Sequence, residues 1–154
     1  MSRRIANRAL AICSGGGHWV ELRRIAPALA GREIVWASVY ADYAGDIAPD
    51  RFHVLPDVTR FNKRDIPALA LAVARVLLAE RPALIVTTGA FPGLMALILG
   101  KLLLGARTVW IDSIANFGKL STSGRLARPF ADLHLTQWEH LETPSGPRHL
   151  GAVL

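Results

Sequence analysis

A chain of 154 residues, 51% of them apolar, is long enough to bury one core and short for a two-domain enzyme. Its single cysteine, Cys13, excludes an internal disulfide framework and fits a reducing compartment, the cytoplasm by default; Arg8, close behind Arg3 and Arg4, leaves no room for a signal peptide. The net charge of +6 and pI near 10.4 suit anionic lipid or phosphorylated ligands, whereas the scattered arginines and the lack of helix-turn-helix, zinc-finger or aromatic RNA-binding signatures speak against nucleic acid.

The apolar run Ala9 to Cys13 predicts a first strand, and Trp19 to Ala30 a helix with Leu22, Ile25 and Leu29 on one face, closed by Gly31. Between them stands Ser14-Gly15-Gly16-Gly17-His18, where three residues without side chains allow a sharp turn and close approach of a large group to backbone N–H donors. Glu33 to Val39 reads as strand two and Arg51 to Leu55 as a short strand three, with Tyr40 to Asp50 as loop. Asp65 to Glu80 predicts an apolar helix with Pro67 in its first turn, ended by Arg81-Pro82.

Ala83 to Thr88 is the clearest buried strand; Gly89-Ala90-Phe91-Pro92-Gly93 follows as a second glycine turn, then an apolar helix from Leu94. Ile66 to Ala79 is interrupted by Arg75 and Leu94 to Leu104 by Lys101, so both fall short of the roughly 18–20 apolar residues of a membrane span and read as buried helices or as faces lying on a membrane. Arg107 to Asp112 predicts a strand, Ser113 to Gly118 a loop, Ser121 to Phe130 a short helix and Asp132 to Gln137 the last full strand. From Glu142 onward Pro144, Gly146, Pro147 and Gly151 leave room for loop or a brief strand.

This alternation predicts a single α/β domain over residues 1–154, a Rossmann-like doubly wound parallel sheet whose ligands gather at the carboxyl ends of its strands. His18, Thr88, Gly89, Asp112, Ser113, Gln137 and Trp138 all fall at such ends. His18 is then a candidate general base, or a helix cap; Asp112 is a second candidate base, or a cap or arginine partner. Ser121, Ser123 and Arg125 fit an N-cap and a solvated helix face. Trp138 fits a sugar platform, a packed strand end or a subunit interface. Cys13 reads as a buried strand residue; His18, His53, His134, His140 and His149 lack metal-ligand spacing. No Walker lysine follows the glycine loop and the dinucleotide fingerprint is incomplete, so nucleotide hydrolysis and NAD binding are poorly matched.

The ordered series Ser-Gly-Gly-Gly-His, Thr87-Thr88-Gly89-Ala90, Trp110 to Asn116, Leu120 to Leu126, Ala131-Asp132-Leu133, Thr136 to Glu139 and Leu150-Gly151 resembles one family over nearly the whole chain. It is similar to the acceptor-side subunit of split GT-B glycosyltransferases, whose eukaryotic relative anchors the transferase adding the second GlcNAc to dolichol-linked oligosaccharide; bacterial relatives serve exopolysaccharide and capsule assembly. Asp112 stands where the eukaryotic pattern has Glu, and an N-terminal membrane helix is not seen. The resemblance implies the N-terminal half of a GT-B enzyme, a separate donor-binding subunit in a heterodimer, and inverting transfer from a nucleotide sugar to a polyprenyl-diphosphate-linked acceptor, with no further cofactor or metal. The end after Leu150-Gly151 matches the expected end of such a half.

On that reading Ser14, Gly15, Gly16, Gly17, Thr88, Gly89, Ser113, Asn116, Ser121, Ser123 and Arg125 contact the acceptor, with Arg125 gripping its diphosphate. His18 and Asp112 are catalytic, Gln137 and Trp138 meet the partner, and Arg3, Arg4 and Arg8 touch the cytoplasmic face of the inner membrane. The rival expectation is a scaffold that only anchors a catalytic partner; a self-sufficient nucleotide-sugar enzyme is a further one.

Overall fold

The computed structural model describes residues 4–58 and 62–153. Seven strands form one parallel sheet: β1 (Ile5–Ile12), β2 (Glu33–Ser38), β3 (Arg51–Val54), β4 (Pro82–Thr87), β5 (Arg107–Ile111), β6 (Leu133–Thr136) and β7 (Arg148–His149), in the order β3-β2-β1-β4-β5-β6-β7. The helices are α1 (Gly17–Ile25), α2 (Ile66–Glu80), α3 (Ala90–Leu104) and α4 (Thr122–Ala127). The direction of winding reverses between β1 and β4, which pair from Ile5↔Pro82 to Ile12↔Thr87, and that is where an open α/β sheet leaves a crevice at its carboxyl edge.

Parallel strands are buried on both faces and so read as apolar runs. One face carries α2 and α3 over Leu10, Ile12, Val35, Ile85 and Trp110; the other carries α1, with Trp19 and Leu22 against Ala11, Cys13 and Trp36. The predicted Leu22, Ile25 and Leu29 stripe does face the sheet.

Several bounds differ from the sequence expectation for identifiable reasons. β1 begins at Ile5, four residues before the apolar run, because Arg8 can lie in the ladder opposite Glu33 while its guanidinium pairs with Glu33 and Glu80. That pairing corrects the assignment of Arg8 to lipid; Arg4 donates to the Gly105 carbonyl, and Arg3 lies outside the described residues. The first helix changes to a 3-10 turn over Ala26–Leu29 at Pro27, whose nitrogen cannot donate. The third starts at Ala90 rather than Leu94: Pro92 falls within its first turn, where a missing N–H costs nothing. Pro129 likewise turns the end of α4 into a 3-10 segment over Arg128–Phe130, and a further 3-10 turn, Ala41–Asp46, occupies the loop after β2. No helix among the described residues is long and apolar enough to cross a membrane.

Candidate functional site

An open cleft of about 1020 Å³ lies at the carboxyl edge of the sheet. Ser14, Gly15, Gly16 and His18 from the first glycine turn form one wall, Asn116 and the segment from Lys119 to Ser123 form the other, and Arg125, Lys63 and Asp57 add charge around it. Eight predicted residues are thus brought together: Ser14, Gly15, Gly16, His18, Asn116, Ser121, Ser123 and Arg125. Gly17, Thr88, Gly89, Asp112, Ser113, Gln137 and Trp138 are not among the cleft walls.

The glycine loop is held by two tyrosines absent from the sequence expectation. The Tyr40 ring occupies the space a side chain at Gly15 would need, and the Gly16 N–H donates to the Tyr43 hydroxyl at 3.0 Å. Tyr43 stacks on Trp19 with centroids 4.5 Å apart, which packs the first turn of α1 against the loop after β2.

His18 is oriented from β4. Its Nδ1 lies 2.9 Å from the Thr88 carbonyl, and the Thr88 hydroxyl donates back to the His18 carbonyl at 2.6 Å. A carbonyl can only accept, so Nδ1 carries a proton there and Nε2 is the ring nitrogen not engaged by Thr88. Gly89, at φ +127°, lets the chain pass the ring; a Cβ there would meet His18 Cε1 at 3.0 Å. Thr88 and Gly89 therefore act through His18 rather than by touching the cleft.

Asp112 is placed differently from its expected role. It is 1% exposed, and its carboxylate accepts from Trp110 Nε1 at 3.0 Å, from the Ser121 N–H at 3.0 Å and from the Ser121 hydroxyl at 2.6 Å. Ser121 in turn caps α4 by accepting from the Gly124 N–H at 2.8 Å. Asp112 is thus the post beneath the Ser121 wall of the cleft, with two of its three donors supplied by Ser121 and the third by Trp110.

A second carboxylate, missed in the sequence, ties the strand ends together. Glu21 lies one turn along α1 from His18 and is 3% exposed; its Oε1 accepts from Ser113 Oγ at 3.3 Å, Ile114 N at 2.8 Å and Gln137 Nε2 at 3.0 Å. Gln137 also donates to the Asp112 carbonyl at 3.0 Å and accepts from the Val153 N–H at 3.0 Å. It is buried and fully engaged, which removes it from a partner surface and makes it a clamp. Ser113 belongs to the same clamp. The helical spacing of His18 and Glu21 was the available signal. Trp138 is half-buried, donates to the Ile114 carbonyl at 2.7 Å and meets the exposed Phe117 edge-on at 4.8 Å.

Burial pushes the Cys13 thiol up to about 12, so it is not an accessible nucleophile. Lys63 and Lys119 were also overlooked: with Arg125 they place three cations at the cleft, a set suited to a polyanion. Among the described residues no His, Cys, Asp and Glu groups cluster as metal ligands.

Comparison with solved structures gives the same architecture at low identity. MurG of Acinetobacter baumannii superposes with a TM-score of 0.72 at 10% identity, over 94% of this chain and 44% of that one. The UDP-N-acetylglucosamine 2-epimerase of Rickettsia bellii gives 0.64 at 15% identity over 88% and 40%, and the UDP-GlcNAc 2-epimerase of Methanocaldococcus jannaschii 0.59 at 15% over 84% and 39%. The chain therefore spans less than half the length of these proteins, and its fold is that of the N-terminal domain of a GT-B glycosyltransferase. No curated protein sequence matches it significantly. Residues 63–152 match the family described as oligosaccharide biosynthesis protein Alg14 like, and by that match, over more than half its length, the chain belongs to the Alg14-like family.

Proposed function

We propose that this chain is the acceptor-side subunit of a two-part inverting glycosyltransferase that moves a sugar, of hexosyl or glucuronosyl type, from a nucleotide-sugar donor to a polyprenyl-diphosphate-linked acceptor in exopolysaccharide or capsule assembly. The observation that carries it is the oriented His18, whose ring is held at Nδ1 by Thr88 on the cleft wall and faces the same cleft as Lys63, Lys119 and Arg125. The acceptor diphosphate lies against the three cations, while a sugar hydroxyl approaches His18. Nε2 takes the hydroxyl proton as the oxygen bonds to the donor's anomeric carbon, and the bond to the nucleoside diphosphate breaks with its electron pair leaving on that diphosphate. Ser14, Gly15, Gly16, Asn116 and Ser123 complete the acceptor wall; Asp112, Ser113, Ser121, Thr88, Gly89 and Gln137 are positioning residues.

The donor site belongs mainly to a second subunit, which binds the nucleotide sugar and forms a heterodimer with this chain. In favour of such docking is the sheet face opposite α2 and α3: over Leu84, Val109, Leu133 and Leu135 it is covered only in part, by the end of α1 and by residues 150–153, leaving an apolar hollow of about 410 Å³. A parallel sheet is normally covered on both faces. The complex sits peripherally on the cytoplasmic face of the membrane that carries its acceptor.

Co-expression with a candidate donor-binding glycosyltransferase subunit, followed by affinity capture and transfer assays on the complex and on each part, tests the reading. A complex that transfers sugar while neither subunit does so alone, and that loses transfer on His18→Gln, is the expected result. An assembled complex indifferent to His18→Gln would favour the rival scaffold role. Tight nucleotide-sugar binding by this chain alone would overturn the division of labour.

A further inference from the structure

We propose that the outer face of α2 and α3 is the surface by which this chain lies on an anionic bilayer. The two helices pack side by side, both running from the cleft edge of the sheet to its opposite edge. On α2 the residues at helical spacing that point away from the sheet are Ala68, Leu71, Arg75 and Leu78, all exposed; on α3 Phe91, Met95 and Ile98 are partly buried against the core, and Leu102 at the end of the same row is exposed. Leu71 and Leu78 are 52% and 51% exposed, and Leu102 is 70% exposed. A surface helix ordinarily turns polar side chains outward, whereas these two are apolar on both sides. Large exposed apolar faces of this kind mark sites of association.

Charge selects the occupant. From Ile66 to Leu104 the only carboxylate is Glu80, which is buried and paired with Arg8, Arg51 and His53. The cations in that stretch are Arg75, Arg81 and Lys101, and Lys101 is already paired with Asp132. A second copy docking on this face would bring Arg75 to a surface with no carboxylate for it. An anionic bilayer satisfies both halves of the pattern: leucines enter the headgroup boundary while Arg75, flanked by Leu71 and Leu78, reaches lipid phosphate. Neither helix has the length to cross, so the contact is a face lying in the interface. With this face down, the cleft opens along the membrane rather than away from it, because α2 and α3 both begin at the cleft.

The inference deepens the peripheral-membrane part of the function proposed above. Its assay needs no transfer reaction, so a failure here leaves the split-enzyme reading standing and the reverse also holds. The full chain is sedimented with vesicles of phosphatidylcholine alone and with vesicles containing about one third phosphatidylglycerol, the anionic fraction supplying the electrostatic attraction. Wild type is expected to bind the anionic vesicles. Leu78→Glu with Leu102→Glu is expected to weaken binding about tenfold or more, with circular dichroism and melting unchanged because both side chains are exposed. Arg75→Gln is expected to weaken binding only to the anionic vesicles.

Leu102→Cys carrying an environment-sensitive fluorophore gives a second readout that adds no charge, and the buried Cys13 leaves the new thiol as the one that reacts. A blue shift on anionic vesicles supports the proposal. Undiminished binding by the double Glu variant, loss of binding instead on Phe117→Glu beside Trp138, or a dimer broken by the double Glu variant without vesicle binding would each overturn it.

Discussion

The Asp112 carboxylate holds Ser121 twice, through its hydroxyl at 2.6 Å and its backbone N–H at 3.0 Å, and Gly124 comes so close that a Cβ there would collide with the same carboxylate. Both Ser121 groups donate to Asp112, as does Trp110 Nε1. Asp112→Asn replaces one acceptor oxygen with a donor amide facing donors, so it is expected to cost about 1–3 kcal/mol. For a chain of this size that lowers Tm by several degrees, at about 2–4 °C per kcal/mol. Gly124→Ala forces the start of α4 off the post and is expected to destabilise the chain at least as much. Urea unfolding of both variants checks this; an Asp112→Asn protein of wild-type stability that has lost only transfer would return Asp112 to a chemical role.

His18 and Thr88 separate positioning from chemistry. His18→Gln keeps a side chain of similar reach and removes the basic Nε2, so transfer by the assembled complex is expected to fall about 10²–10⁴-fold with stability nearly unchanged. Thr88→Val removes the hydroxyl that bonds the His18 carbonyl at 2.6 Å while leaving the Thr88 carbonyl on Nδ1. Its expected effect is a smaller fall in turnover with acceptor KM unaltered. Steady-state kinetics on the complex distinguish the two, and equal losses would mean that Thr88 does more than orient the ring.

Much of this architecture was legible because a parallel sheet buries its strands on both faces: Ala9 to Cys13, Ala83 to Thr88 and the glycine turns after them announce themselves as apolar runs ended by small residues. Strand-end placement pointed to His18 on the cleft wall, while Asn116, Ser121, Ser123 and Arg125 were marked only by the family resemblance, and the other strand-end residues stand behind the wall. What the sequence concealed depends on side-chain direction. Asp112 sits at a strand end like His18, yet its carboxylate turns inward onto Ser121, and strand-end placement cannot tell the two apart. Glu21 is one polar residue of an amphipathic helix, and only folding brings the ends of β5 and β6 onto it. Tyr40, Lys63 and Lys119 line the cleft, and Tyr43 braces its glycine loop, from loops and short 3-10 turns whose paths no periodicity reports.

Glu21 offers an asymmetric test. Its Oε1 receives three donors, while its buried Oε2 has no partner among the described residues. Glu21→Gln preserves the accepting oxygen and puts an amide where the idle one stood, so stability is expected to stay within about 1 kcal/mol of wild type; Glu21→Ala strands the Ile114 N–H and the Gln137 amide and is expected to cost about 2 kcal/mol or more. Chemical denaturation ranks them. A Glu21→Gln loss as large as that of Glu21→Ala would show that the negative charge, not the accepting atom, holds the clamp.

At the edge of the sheet away from the cleft, Glu80 is 5% exposed and gathers Arg8 at 3.2 Å, Arg51 at 3.2 Å and His53 at 2.8 Å. Arg8 and Arg51 retain Glu33 on their other side, a carboxyl held below its usual range chiefly by the hydrogen bonds from Arg8. Removing one member of a buried charged group leaves the others uncompensated, so Glu80→Ala is expected to cost about 2–3 kcal/mol. Glu33→Ala, at the exposed end of the network, is expected to cost less than about 1 kcal/mol. Equal losses in thermal unfolding would mean that the pairs act as one unit.

His134 sets a pH dependence whose sign is fixed by its surroundings. It lies on β6 opposite Trp110, with both ring nitrogens buried and unpartnered among the described residues. Burial lowers its pKa from 6.5, outweighing the nearby Asp112 carboxylate and the Gly124 carbonyl, which lies near the ring outside good hydrogen-bond geometry; both of these raise it, and Arg128 adds to the lowering. The unfolded chain therefore binds a proton at this site in a range where the folded chain does not. Stability contributed by the neutral ring is fully present above about pH 6.5 and is lost as pH falls through the folded-state pKa. His134→Leu removes the titration and two idle polar atoms whose burial costs about 1–3 kcal/mol. The variant is expected to match or exceed wild type at neutral pH and to show a flatter decline in unfolding free energy between about pH 6.5 and 5. Parallel slopes for the two proteins over that range would assign the acid sensitivity to other groups.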